Sequence, residues 1–162
     1  TPTWTKTPTP TEMTSDDTQA PSFDINNALS ILPSPGAMLT CSGNIVEVTG
    51  LHVIDPAYSE GIAYVKLKYK LDGFNSWIYG SAMTKTSGGA TGAGGWDAVY
   101  AGQIPVDYTT TMAPYSGSLL ASILPRPLGV GQQLELWAEV KDNVGKTDAA
   151  KLGLYEMPAN CP

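Results

Sequence analysis

The stretch of the chain that most constrains its fold is 62–71, which reads I-A-Y-V-K-L-K-Y-K-L. From Val65 onward, apolar or aromatic residues and lysines alternate without a break. A period of two places all the apolar side chains on one face of a β-strand, whereas a helix would distribute them around its circumference. Such a strand is typical of an antiparallel sheet whose apolar face is covered by a second sheet. The stretch therefore predicts the central strand of a β-sandwich.

The composition of the rest of the chain also favours an all-β protein. Its 162 residues include 17 glycines and 13 prolines, and only 15% of them are charged. Frequent turn formers between short apolar segments indicate many short strands. The formal charge of -6 argues against a nucleic-acid partner, because such binding needs clustered Lys and Arg. No apolar run approaches the roughly 20 residues that span a bilayer, so no membrane span is predicted.

Further strands are predicted wherever apolar residues alternate between turn signals. Together with 62–71, the predicted strand regions are 20–36, 45–54, 77–83, 96–106, 134–142 and 147–155. Within 45–54 the apolar positions change parity near Gly50, which predicts a β-bulge there. The stretch 134–142 alternates as cleanly as 62–71, and we expect these two strands to pair.

Two segments are predicted to be irregular. The segment Ser87–Gly95 reads S-G-G-A-T-G-A-G-G and has no side chains to pack, so we expect an exposed loop. The segment 107–133 is an unusually long connection, and connections longer than about 15 residues are usually functional or binding surfaces.

The first 20 residues differ from everything that follows them. Thr occupies every odd position from 1 to 11, with prolines at positions 2, 8 and 10. Such segments are stiff, cannot bury a core, and are often O-glycosylated outside the cell. We predict an extended arm over 1–20 and a sandwich over 21–162, the arm being either a stalk or a segment that docks on another sheet. Its five consecutive residues with backbone N–H groups are Thr3, Trp4, Thr5, Lys6 and Thr7.

The two cysteines, Cys41 and Cys161, fit no C-x-x-C metal or redox motif. They are therefore two free thiols or one disulfide. Cys41 precedes a predicted strand and Cys161 is one residue from the C-terminus, positions that favour a disulfide tying the chain end to the body. A disulfide predicts an extracellular or cell-surface location.

No residue pattern points to catalysis or to a cofactor. His52, the only histidine, lies on a predicted strand and is expected to be structural, and no Ser or Cys sits in a nucleophile motif. Asp55, Glu60 and Asp142 lie in predicted turns. They form only a minimal Ca²⁺ candidate, because three carboxylates fall short of the six or more oxygens that this ion takes.

The lysine face of 62–71 is predicted to share one outer surface with 134–142. Trp137 lies there between Glu135 and Glu139, and a large aromatic side chain on a solvated face suggests that another chain covers it. Alternatively, the tryptophans stack on a sugar, or Trp137 simply covers the face of the sheet. The predicted subunit or glycan surface consists of Lys66, Lys68, Trp77, Glu135, Trp137 and Glu139.

Three motifs resemble those of bacterial extracellular immunoglobulin-like or fibronectin type III-like domains. They are D-P-A-Y-S-E-G-I before the central strand, an aromatic-led strand ending in I-P-V, and L-E-L-W-A-E-V-K-D-N-V-G-K-T near the C-terminus. The resemblance covers roughly 23–155 and implies an immunoglobulin-like antiparallel β-sandwich of about seven strands. The chain departs from these families in its long 107–133 connection and in the positions of its cysteines. Its arm resembles the Thr/Pro stalks of secreted bacterial surface proteins.

These features predict a secreted structural protein without enzymatic activity. We expect a subunit that assembles with copies of itself into an extracellular filament or surface layer, its arm docking on or donating a strand to a neighbour. The alternatives are a cell-surface adhesin or carbohydrate-binding module on a Thr/Pro stalk and, third, an accessory domain of a larger enzyme.

Overall fold

A computed structural model of the chain describes residues 17–56, 59–92, 94–107, 110–111 and 133–158. These residues form two antiparallel sheets that pack face to face, which confirms the predicted all-β sandwich. The strands are β1 (Ser22–Asp24), β2 (Ser30–Leu32), β3 (Asn44–Asp55), β4 (Ile62–Leu71), β5 (Ile78–Ala82), β6 (Thr84–Ala90), β7 (Trp96–Val106), β8 (Gln133–Asp142) and β9 (Thr147–Glu156).

The first sheet has the order β1-β3-β7-β6, with β2 also pairing with β3, and the second has the order β5-β4-β8-β9. The predicted pairing of β4 with β8 is confirmed, and its register runs from Ile62 opposite Asp142 to Leu71 opposite Leu134. The two alternating strands of the sequence are thus the two inner strands of the second sheet.

The core lies between the sheets and is built from alternate residues of β3, β4, β7 and β8. On β4, Val65, Leu67, Tyr69 and Leu71 are at most 2% exposed, as the alternation predicts. Burying one such large apolar side chain contributes roughly 1.5 to 3 kcal/mol. The other buried apolar side chains of the strands are Val46, Val48, Leu51, Val53, Ala98, Tyr100, Ile104, Val106, Leu134, Leu136, Ala138, Val140 and Tyr155.

The predicted bulge in β3 is confirmed. The register with β7 shifts between Val48 and Leu51, and Gly50 has a φ of 70°. The strands β2 and β1 pair with the same edge of β3 on either side of this point, so the link between them passes beside β3 at the bulge. A Cβ at Gly50 would lie 2.0 Å from the carbonyl oxygen of Ala28, which leaves room for glycine only.

The structure has nine strands where the sequence predicts about seven, for two reasons. The region 20–36 holds two strands of 3 residues each, because a turn at Asn26 separates them. The prediction of a loop over Ser87–Gly95 is wrong for its first part, since β6 runs to Ala90. An edge strand needs only backbone hydrogen bonds to β7, and Gly88 comes so close that a Cβ there would lie 2.2 Å from the Asp97 carbonyl oxygen.

His52 joins three strands of the first sheet through its imidazole ring. Its Nδ1 lies 3.1 Å from Oδ2 of Asp24 on β1, and its Nε2 lies 2.5 Å from Oδ1 of Asp97 on β7. The hydrogen bond to Asp97 is the main cause of the raised pKa of His52. Partial burial lowers this pKa, but the Asp24 carboxylate raises it further. This geometry fits the structural role expected from the sequence.

Cys41 forms a disulfide bond. The preceding residues 36–39 hydrogen-bond to the end of β9, where Glu156 exchanges backbone hydrogen bonds with Ala37 and Leu39. The chain's other cysteine, Cys161, lies outside the described residues, as do Thr3, Trp4, Thr5, Lys6 and Thr7 of the arm and most of 107–133. Among the described residues no helix has the length and apolarity needed to cross a membrane.

The close approach of Ala28 to Gly50 predicts a difference between two glycines with similar φ angles. Gly43 has a φ of 73°, but an added Cβ would meet nothing within 4 Å. We expect Gly43→Ala to lower the free energy of unfolding by about 1 kcal/mol, the usual cost of a positive φ. Gly50→Ala should cost roughly 1 to 3 kcal/mol more, because it also drives Cβ into Ala28. Urea unfolding of both variants measures the difference, and equal losses would contradict the close approach.

The position of His52 predicts a specific pH dependence of stability. The pKa of His52 is raised above 6.5 in the folded state. Its contribution to the free energy of unfolding is therefore complete below the unfolded-state pKa and is lost as the pH rises through the folded-state pKa. The loss should stay below about 1 kcal/mol, since Asp24 and Asp97 are half exposed. Urea unfolding from below pH 6.5 upward measures it. His52→Gln should flatten this slope, and an unchanged slope would assign the dependence to other groups.

Candidate functional site

The outer face of the second sheet carries the surface predicted from the sequence. The structure brings all six predicted residues together there, along with Tyr64, Lys70, Tyr79 and Lys151. Lys68 lies opposite Trp137, and Lys66 and Lys70 lie opposite Glu139 and Glu135. Tyr64 and Lys70 share the parity of Lys66 in the sequence, so alternation alone could have added them.

The charges on this face are paired across neighbouring strands. Lys68 Nζ donates to Glu139 Oε2 at 2.6 Å, a diagonal contact between β4 and β8. Glu135 is held from both sides, with Lys70 Nζ 3.0 Å from its Oε2 and Lys151 Nζ 2.8 Å from its Oε1. The expectation of a solvated lysine face is therefore only partly correct, since Lys68 is just 7% exposed.

The cover over these charges comes from the chain itself. Trp77 precedes β5, and its ring packs edge-on against Trp137 with centroids 5.8 Å apart and an interplanar angle of 82°. The ammonium of Lys68 lies 4.2 Å from the centroid of Trp77, and that of Lys70 lies 5.3 Å from it. These are cation–π distances. Trp77 of the same chain thus covers part of Trp137, which fits the alternative that Trp137 covers the sheet face, and the subunit or glycan surface stays a prediction.

The paired network perturbs the pKa values of the carboxyl and phenol groups that it contains. Burial would raise the pKa of Glu139, but hydrogen bonds from Lys68 and Tyr64 outweigh it and hold the pKa below its usual value. Burial acts likewise on Glu135, where Lys151 and Lys70 lower the pKa. The Glu139 carboxylate, accepting the Tyr64 hydroxyl at 2.8 Å, raises the pKa of Tyr64 to about 12. Both glutamates therefore stay ionised at neutral pH.

A second cluster of functional groups lies at one end of the sandwich. The carboxylates of Asp17, Asp55 and Asp142 converge there, and an oxygen of each lies within 4.8 Å of the other two. They are 6%, 1% and 1% exposed, respectively. Asp55 ends β3 and Asp142 ends β8, so the sheet topology places both at this end, and Asp17 reaches them from the N-terminal segment.

The loops around this cluster are held by a set of hydrogen bonds. The Ser59 hydroxyl donates to Asp55 Oδ2 at 2.5 Å, and Asp142 Oδ1 accepts the backbone N–H groups of Val144 at 3.0 Å and Lys146 at 2.7 Å. Lys146 Nζ donates to the carbonyl oxygen of Asp17 and lies 4.0 Å from its Oδ1. Burial raises the pKa of Asp55. The hydrogen bond from Ser59 lowers this pKa in part, whereas the charges of Asp17 and Asp142 raise it further.

The cluster differs in one member from the acidic set that the sequence predicts. Glu60 is exposed and contributes its backbone instead, with its N–H 3.5 Å from Asp17 Oδ2 and its carbonyl oxygen accepting Asn143 Nδ2 at 2.8 Å. Asp17 takes its place among the carboxylates. Asp17 lies in a polar stretch without periodicity, so no sequence signal connects it with residues 38 and 125 positions away.

Comparison with known proteins adds no assignment to these two sites. No protein-family model matches this chain, and a search of curated proteins found no match either.

The ion pair on the outer face predicts that Glu139 stabilises the fold more than an exposed glutamate. Glu139→Gln keeps the shape of the side chain but leaves Lys68 buried without its counter-charge. We expect the free energy of unfolding to fall by roughly 2 to 3 kcal/mol. Glu47→Gln, the same change at an exposed position of β3, should cost less than about 0.5 kcal/mol. Thermal or urea unfolding checks both, and equal small losses would show that Lys68 remains solvated.

Proposed function

We propose that the chain is a non-catalytic extracellular structural protein that assembles with copies of itself into a filament or surface layer. The observation that carries this proposal is the placement of the first described residue, Asp17, and the end of β9 at opposite poles of the sandwich. A subunit with this geometry can contact one neighbour through its N-terminal segment and another through its far pole. Such a head-to-tail contact does not close on itself and therefore propagates.

The poles are defined by the strands of the second sheet. Asp17 lies at the pole where β8 ends, beside Asp142. The strand β9 starts at this same pole, with Thr147 opposite Lys141, and ends at the other, with Glu156 opposite Gln133. A strand of this length spans roughly 30 Å at about 3.3 Å per residue. The last described residues thus leave the sandwich far from where the N-terminal segment enters it.

The root of the arm is anchored to the sandwich of its own chain. Asp17 is 6% exposed, accepts Lys146 at its carbonyl oxygen, and lies with its carboxylate among Asp55 and Asp142. This anchor gives residues 1–16 a defined starting point at the pole. It supports an arm directed at a neighbouring subunit better than it supports a freely rotating stalk.

The sandwich offers edges to which a neighbour's arm could add a strand. The strands β6 and β9 stand last in their sheets. Residues 36–39 hydrogen-bond along the end of β9, but no described residue pairs with the outer edge of its first half. When a strand adds to such an edge, backbone hydrogen bonds provide most of the affinity. A Thr-rich donor such as Thr3–Thr7 suits it, because specificity from large side chains is not required.

The extracellular location within this proposal is supported by the disulfide of Cys41. The two-sheet architecture is also the one that the resemblance to immunoglobulin-like domains implies, and such sandwiches serve in many cell-surface proteins.

A second candidate function is a glycan-binding module, which one observation favours. Tyr79 is 50% exposed on the outer face beside Trp77, and an exposed aromatic ring is a common platform for a sugar. The Lys68 ammonium lies 4.2 Å from the centroid of Trp77 and 5.5 Å from that of Tyr79, but Tyr79 is the more exposed of the two rings and therefore the more open to a ligand.

The assembly proposal predicts that the arm is required for association. Electron microscopy and sedimentation should show filaments or large oligomers for the full chain and monomers after deletion of residues 1–16. A chain in which 1–16 is replaced by an equally long Gly/Ser segment should also stay monomeric, and both variants should keep the thermal unfolding midpoint of the full chain.

Filaments formed by the deleted chain would overturn the assembly proposal. A full chain that stays monomeric at all concentrations, yet binds an immobilised glycan and loses this binding on Tyr79→Ala, would instead establish the second candidate.

A further inference from the structure

We propose that Asp17, Asp55 and Asp142 form a binding site for one divalent cation, and that Ca²⁺ is the ion that fits it best. The site is independent of the assembly proposed above. It differs from an ordinary acidic patch in two respects, since its carboxylates are buried and two of their oxygens have no hydrogen-bond partner among the described residues.

The unpartnered oxygens are Asp55 Oδ1 and Asp142 Oδ2, which are buried and accept no hydrogen bond from any residue in the described part of the chain. The other oxygen of each carboxylate is held in place, Asp55 Oδ2 by Ser59 and Asp142 Oδ1 by the backbone of Val144 and Lys146. Each carboxylate is thus oriented through one oxygen and presents the second. Leaving a buried charged oxygen unpaired is costly, and coordination of a cation would remove that cost.

The charges of the cluster also call for a cation. Three carboxylates lie together, and the ammonium group of Lys146 lies 4.0 Å from Asp17 Oδ1. Like charges so close together in a buried site destabilise one another. A bound divalent ion would balance the excess negative charge without moving the loops that carry it.

The donor set selects the class of ion. All three side chains offer oxygen, which suits hard cations, whereas Zn²⁺ in proteins favours sulfur and nitrogen ligands. Oxygens on opposite sides of one Ca²⁺ lie about 5 Å apart, while those around Mg²⁺ lie at most about 4.2 Å apart. The three donor oxygens all lie within 4.8 Å of one another, which is close enough for them to coordinate one Ca²⁺ together. With water completing the shell, we expect a dissociation constant on the order of 10⁻⁴ to 10⁻³ M, as in extracellular modules.

The ion would hold together three distant parts of the chain. Asp55 ends β3 where the loop to β4 begins, Asp142 opens the turn between β8 and β9, and Asp17 is the root of the arm. Hydrogen bonds already tie the two loops, since Asn143 N donates to the Gly61 carbonyl oxygen at 3.0 Å. Cation binding would add the N-terminal segment to this frame.

Tb³⁺ luminescence of the full chain tests the site directly. Trp96 lies opposite Asp55 in the pairing of β3 with β7, so its excitation should sensitise a Tb³⁺ ion bound there. We expect saturable emission that Ca²⁺ displaces and that Mg²⁺ displaces less well. Asp55→Asn should weaken Tb³⁺ binding at least about tenfold by removing one ligand charge. Asp72→Asn, the same change at the opposite pole, should leave it unaltered.

Thermal unfolding of the unchanged chain provides a test that needs no variant. The midpoint should rise by several degrees when EDTA is replaced by millimolar Ca²⁺, because the ion binds only the folded state. Asp55→Asn should abolish this rise while unfolding in EDTA no earlier than the unchanged chain, since it removes a like-charge repulsion.

Three outcomes would overturn the proposal. They are a midpoint that is equal in Ca²⁺ and EDTA, an absence of sensitised emission, and equal emission from the unchanged chain and both variants. Each would show that the three carboxylates do not bind a cation.

Discussion

The antiparallel pairing of β4 with β8 is the interaction on which the rest of the structure depends. Its register places Leu67 and Tyr69 in the core between the sheets and puts Lys68 and Lys70 within reach of Glu139 and Glu135 on the other face. The same register carries Asp142 to the pole where Asp55 ends β3. A slip of one residue would exchange the two faces of a strand, moving lysines into the core.

The outer face of this sheet shows how charged residues become part of a stable structure. Lys68 and Glu139 are largely removed from water by Trp77 and the two strands themselves, and their hydrogen bond compensates for the lost hydration. The chain thus supplies part of the cover for these charges itself.

The acidic pole is built on a different principle. On the outer face every carboxylate meets an ammonium group, whereas at the pole three carboxylates meet one another and one lysine. Ser59 and the turn after Asp142 hold the carboxylates in this arrangement despite their repulsion. Local turn chemistry and sheet topology thus create a concentrated negative charge where the arm joins the sandwich. Within the described part of the chain, the ammonium group of Lys146 lies 4.0 Å from this cluster, at Asp17 Oδ1.

Alternation and turn residues were sufficient to predict the sandwich, the β4–β8 pair and the bulge at Gly50, because these follow from which side chains can share an apolar face. Glycine-rich β6 could not be predicted in this way, since its pairing depends on backbone hydrogen bonds to β7 and on room for its glycines. Nor could the placement of Asp17 or the cover by Trp77, which bring together residues remote in sequence. The sequence by itself determined the strands and their buried faces, because these are periodic and local. Only the tertiary structure decided which charges are paired and which converge, because those contacts depend on how distant segments meet.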